Sequence, residues 1–165
     1  MNTSSMIIGV ALLLVFVLLF FVLNRNQKKG VNKKLNELKA LAAKKGYHLS
    51  ESENIQHVVL GLDRKSNHLL FVNTETHTET VVDLSTIKKC DKQEFSKTVK
   101  SGGSSTIIVE KLELICYPLD SKASAISLEI FNVETGSFRL IGEFQFCQKW
   151  SKLINQQILD YKKGH

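Results

Sequence analysis

Hydrophobic and polar positions change rhythm three times along this chain. Met6 to Leu23 reads MIIGVALLLVFVLLFFVL, an unbroken run in which Gly9 is the only residue that is not apolar. A helix of that length, at ~1.5 Å per residue, is ~27 Å long, close to the ~30 Å hydrocarbon core of a bilayer. The run predicts a retained single-pass transmembrane anchor over residues 1–23, with its core at 6–23 and Met6, Leu12, Phe16, Phe20 and Leu23 as anchor residues. A cleaved signal peptide would want a basic residue before the apolar run and a small-x-small site after it. The flanks, MNTSS and VLNRNQKKG, offer neither, and no Cys follows the run to carry a lipid.

The second rhythm is helical. In VNKKLNELKALAAKK, residues 31–45, Val31, Leu35, Leu38, Leu41 and Ala42 recur at helical spacing, and Gly46 suits a C-terminal cap. Lysines fill the remaining surface, so residues 24–46 read as a basic juxtamembrane linker with an amphipathic helix. Two functions fit such a helix. It can lie on anionic lipid, with Arg25, Lys28, Lys29, Lys33 and Lys34 as contacts at roughly 1 kcal/mol per basic residue. It can instead be a stalk whose leucine stripe packs on the following domain or on a partner copy. A stripe of Val, Leu and Ala lacks the aromatic residues of interfacial helices, which favours the stalk.

From residue 47 the period shifts towards two. Strands are expected at 56–62 (QHVVLGL), 68–73 (HLLFVN), 79–83 (ETVVD) and 87–92, with longer ones at 106–117 and 125–133 and a weak seventh at 137–141. DRKSN, SGGSS, DSKAS and ETGS break them. Ile107 and Val109 share one parity while Leu112, Leu114 and Cys116 share the other, which predicts a bulge near Glu110-Lys111. The chain ends helically: Phe146, Cys147, Trp150, Leu153, Ile154, Ile158 and Tyr161 form one stripe. Gln148, Lys149, Ser151, Lys152, Asn155, Gln156 and Asp160 fall opposite, so the helix has one broad apolar face that must cover something.

This order, with the segments GLDRKSNHLLFVN, VVDLSTIKKC and FCQKWSKLI, resembles bacterial pleckstrin-homology-like (PH-like) domains over about residues 55–161. The resemblance implies two bent antiparallel sheets capped at one end by a C-terminal helix with a buried aromatic, a place Trp150 would fill beside Phe146, Leu153 and Ile154. The expected fold class is therefore mainly β with helices, α+β: an N-terminal transmembrane helix, then over 47–165 a PH-like barrel or sandwich of about seven strands with a helical cap. The head-group site familiar in such domains uses several basic residues on the first strands. Here that region offers only Arg64 and Lys65 beside Asp63, so the resemblance carries no lipid site over to these positions.

Charge sharpens the division. The net +6 of the 165 residues is concentrated in 24–46, which hold eight basic residues and one acid, Glu37. Residues 47–165 balance at −1, with 14 basic and 15 acidic residues, which argues against a nucleic-acid-binding face. Basic residues crowd only the C-terminal flank of the apolar run, so the positive-inside rule predicts an inner-membrane protein, N-terminus out and domain cytoplasmic. Cys90, Cys116 and Cys147 are odd in number and widely spaced, which fits reduced, buried thiols. His48, His57, His68 and His77 match no zinc spacing, and Gly102-Gly103 lacks the Gly-Lys-Ser/Thr of a phosphate loop. No catalytic residue, metal site or cofactor is expected. The sequence predicts a non-enzymatic adaptor that binds a protein partner beside the lipid bilayer; the alternative is an anionic-lipid-sensing module that uses the lysine-rich stalk.

Overall fold

The computed structural model describes residues 34–101, 104–135 and 139–164, together with Leu13. A helix over 34–45 (α1) precedes a four-stranded antiparallel sheet of order β1-β2-β3-β4, built by Glu51–Ile55, Val58–Asp63, His68–Asn73 and Thr78–Asp83. A 3-10 turn, Leu84–Thr86, carries the chain into a three-stranded antiparallel sheet, β5-β6-β7, built by Ile87–Ser101, Ser104–Pro118 and Ile126–Asn132. A second 3-10 turn, Val133–Thr135, precedes the 22-residue helix α2, Glu143–Gly164.

The architecture is α+β with two antiparallel sheets, and it corrects the expected fold class in its transmembrane helix. Among the described residues no helix is long and apolar enough to cross a membrane. The predicted transmembrane helix, with Met6, Leu12, Phe16, Phe20 and Leu23, lies outside the described residues except at Leu13. The two helices that are described are of another kind. α1 carries Lys34, Lys39, Lys44 and Lys45, and α2 keeps Glu143, Lys149, Lys152, Asp160, Lys162 and Lys163 along its length. A lipid core tolerates neither pattern.

The strands differ from expectation at both ends. The weak strand expected at 137–141 is not seen over 139–141, and 137 and 138 lie outside the described residues. In its place β1 opens the first sheet. Its sequence, ESENI, has no apolar alternation; backbone pairing with β2, from Glu51↔Leu62 to Ile55↔Val58, makes it a strand. The segment expected at 56–62 loses its first two residues to a tight turn, with Gln56 at φ 43.

The next two hairpins use one device twice. Asp63 Oδ1 accepts from the amides of Lys65 (3.0 Å) and Ser66 (3.1 Å), and Asn73 Oδ1 accepts from Glu75 (2.9 Å) and Thr76 (3.1 Å). Each loop then closes through a left-handed residue, Asn67 at φ 59 and His77 at φ 53. Short polar side chains folding back on the following amides make these turns self-contained.

Two cores result. Val58, Leu60, Leu62, Leu69 and Phe71 of the first sheet meet Cys90, Leu112, Leu114, Cys116 and Leu128 of the second, with Phe146, Trp150, Ile154 and Ile158 of α2 across the end. On the opposite face of the first sheet, Val59, Leu70 and Val72 lie beneath Leu38, Leu41 and Ala42 of α1. The sheet is therefore covered on both sides, which is why β2 and β3 are almost wholly buried rather than alternating. Gly61 permits the close approach: a Cβ there would stand 2.7 Å from methyls of both Leu38 and Leu49. Gly46, at φ 75, ends α1, with Tyr47 N donating to Ala42 O (2.9 Å) and Gly46 N to Ala43 O (3.2 Å).

Candidate functional site

The second sheet is much longer than the body it packs on. β7 pairs with β6 only from Lys111 to Cys116, so Ser104–Glu110 and their β5 partners continue as a two-stranded arm. Every residue from Gln93 to Lys100 and from Ser105 to Ile108 is exposed. At ~3.3 Å per residue the arm reaches ~20 Å beyond the end of β7.

The predicted bulge lies at the root of the arm. Phe95 pairs with Lys111 and Ser96 with Val109, leaving Glu110 as the extra residue. That residue reverses the side-chain parity of β6. Ile107 and Val109 fall on the core side, whereas Ile108 turns to the outer face with Phe95 and Val99. Beyond the body none of the described residues covers either face: Ile107 is 71% exposed, Ile108 44%, Phe95 41% and Val99 38%. A two-stranded hairpin is marginal by itself in water, and four large exposed apolar side chains on one, three of them on the same face, are an interaction surface by default.

Charged groups rim the arm. Lys97 lies 3.7 Å from Glu110 across the strands. At the root, Lys111 Nζ lies 2.6 Å from Glu113 and 3.3 Å from Glu129, and 5.9 Å above the Phe95 ring. The Glu113 hydrogen bond, with a smaller contribution from Glu129, raises the Lys111 pKa above its ordinary value and keeps it charged.

α2 closes the seam between the two sheets with polar side chains as well as apolar ones. Trp150 Nε1 (2.9 Å) and Lys149 Nζ (2.8 Å) both donate to Glu53 on β1. Asn155 Oδ1 accepts from Cys90 N (2.8 Å), while Asn155 Nδ2 (2.7 Å) and Ser151 Oγ (2.8 Å) donate to Cys90 O, so α2 occupies the outer edge of β5 there. Buried Gln157 donates to Asn67 Oδ1 (3.0 Å) and Arg64 O (3.1 Å), fastening the β2–β3 loop. Between β1 and α2 an open groove of about 540 Å³ remains, floored by Trp150 and Leu153 and flanked by Glu51, Glu53 and Lys149.

The residues singled out from sequence are dispersed. Phe146, Trp150 and Ile154 are buried in the core and Leu153 is half-buried. Lys34 is half-buried and donates to the Gln56 carbonyl; Arg25, Lys28, Lys29 and Lys33 lie outside the described residues, as do Gly102 and Gly103. Arg64 is paired with Glu51, its Nε 2.8 Å from the carboxylate. Lys89 is paired with Asp91, and Lys92 lies over the Phe144 ring. The histidines do not converge: His68 stacks on Tyr47 with ring centroids 4.5 Å apart, and His57 lies 3.9 Å from Glu75. Among the described residues no three His, Cys, Asp or Glu side chains form a group fit to hold a metal ion.

Cys90 and Cys116 are directly opposed across β5 and β6, and all three thiols are buried. Contact with Cys116 and burial push the Cys90 thiol well above its ordinary pKa, and burial pushes Cys147 up to about 12. Neither is a nucleophile at neutral pH.

No family model matches the chain, and no curated protein or solved structure matches it either. The arm is the feature that sequence reasoning missed. The strand expected at 87–92 runs on to Ser101, and the signal for that extension was Phe95 and Val99, four residues apart on one side of the strand.

Proposed function

We propose that the protein is a non-enzymatic adaptor, a PH-like module that holds a protein partner near a membrane. One observation carries the reading: an exposed two-stranded arm bearing Phe95, Val99, Ile107 and Ile108, which none of the described residues covers. The sequence of elements, four strands then three strands then a helix, supports the PH-like comparison. The charge-free run 6–23 and the lysine-rich segment behind it support work at a membrane, with the domain on the cytoplasmic side.

The test is cross-linking and pull-down of the full chain from membranes, compared with the double variant Ile107→Ser and Ile108→Ser. Both positions are exposed, so stability should change by no more than about 0.5 kcal/mol each. Cross-links to a partner should disappear at unchanged melting temperature. Retention of the same cross-linked partner by the variant overturns the assignment of the arm.

A further inference from the structure

α1 has two chemically different faces, and the fold has used only one. Leu38, Leu41 and Ala42 are buried against the first sheet, whereas Asn36, Lys39, Ala40, Ala43, Lys44 and Lys45 are exposed. At about 100° per residue, Ala40 is centred on the outward face, with Asn36 and Ala43 on one side, Lys44 and half-buried Glu37 on the other, and Lys39 further round. Against that one half-buried acid stand three exposed lysines, Lys39, Lys44 and Lys45, so this side of the helix is net positive.

We propose that this outward face of α1 rests on an anionic lipid bilayer surface, Lys39 and Lys44 reaching the phosphates on either side of Ala40. Three observations carry it, and none depends on the arm. First, the leucine stripe is sealed into the domain, so what α1 offers outward is cationic rather than apolar. Second, charge complementarity selects the surface: 24–46 hold eight of the 22 basic residues and a single acid, whereas the rest of the domain is slightly negative and would be repelled. Third, only ten residues separate Leu23, the end of the charge-free run, from Lys34. Fully extended, that link reaches ~40 Å, so α1 stays close to whatever surface holds the run. Long lysine stems suit the geometry, since they extend ammonium groups past a flat contact.

The experiment places the full chain in phosphatidylcholine vesicles with and without phosphatidylglycerol. Lysines are labelled with a water-soluble amine reagent and read by mass spectrometry. Lys39 and Lys44 should label roughly fivefold more slowly in the anionic vesicles, the factor expected for a basic residue held at such a surface. Lys97 and Lys149, on the arm and on α2, should label alike in both. The protection should vanish at about 1 M salt, where screening shortens to about 3 Å. A dye on Ala40→Cys gives an independent reading, since the native thiols are buried; its emission should shift blue only on anionic vesicles. Equal labelling of Lys39 and Lys44 in both lipids overturns the proposal. So does protection that appears only when cytoplasmic proteins are added, which would place a protein on this face.

Discussion

Trp150 joins two jobs in one side chain. Its ring fills the core beneath both sheets at 1% exposure, and its Nε1 donates to Glu53 at the edge of β1. Trp150→Ala removes the ring and orphans part of that link, at a cost of ~3–5 kcal/mol. That is a large share of the ~5–15 kcal/mol that keeps a domain folded, so the variant should melt far lower. Native Trp emission should be blue-shifted and move red in denaturant; red-shifted native emission would refute this packing. Asp63 makes a pH prediction. Burial works to raise the pKa of its carboxyl, but hydrogen bonds from the amides of His48, Ser66 and Lys65 outweigh burial and hold it below 3.8. A depressed folded pKa means that the stabilisation is complete above the unfolded value and is lost as pH falls through the folded one. Stability should therefore drop below about pH 4, and Asp63→Asn should flatten that part of the profile.

Among the elements, α1 shows how far the sequence could be read. Its leucine spacing and the glycine that ends it were legible, because a 3.6 period and a C-terminal cap are local. Its place over the first sheet was not. The only hint was that VVLGL and HLLFV are apolar at consecutive positions, which alone does not separate a doubly covered strand from a core one. β1 was illegible for the opposite reason, since ESENI owes its conformation to its neighbour. In α2 the apolar stripe was plain, but Ser151 and Asn155, which sequence placed on the solvent side, bond the edge of β5. No helical wheel shows that. Gly61→Ala tests the α1 seam directly. The added methyl meets Leu38 and Leu49 at 2.7 Å, and overpacking of this kind costs ~1–3 kcal/mol. A melting temperature unchanged by the substitution would show that α1 does not sit tightly there.

At the scale of the whole molecule, burial is uneven. Among the described residues the inter-sheet core holds twenty buried side chains and the α1 seam six, while the arm has none between Gln93 and Lys100. Amide exchange should follow that order, fastest over 95–101 and 104–109 and slowest in β2, β3 and the β6 segment from Leu112 to Cys116. Slow exchange along the arm of the isolated protein would mean that its apolar residues are already covered. The smaller seam has a mechanical consequence. Any tension drawn through the N-terminal segment reaches the domain at α1 and is first resisted by Leu38, Leu41 and Ala42 against Val59, Leu70 and Val72. With fewer side chains to separate, this joint yields before the main body does. The molecule thus carries a fuse at α1, and blowing that fuse would bare a greasy sheet face while the two sheets stay locked together.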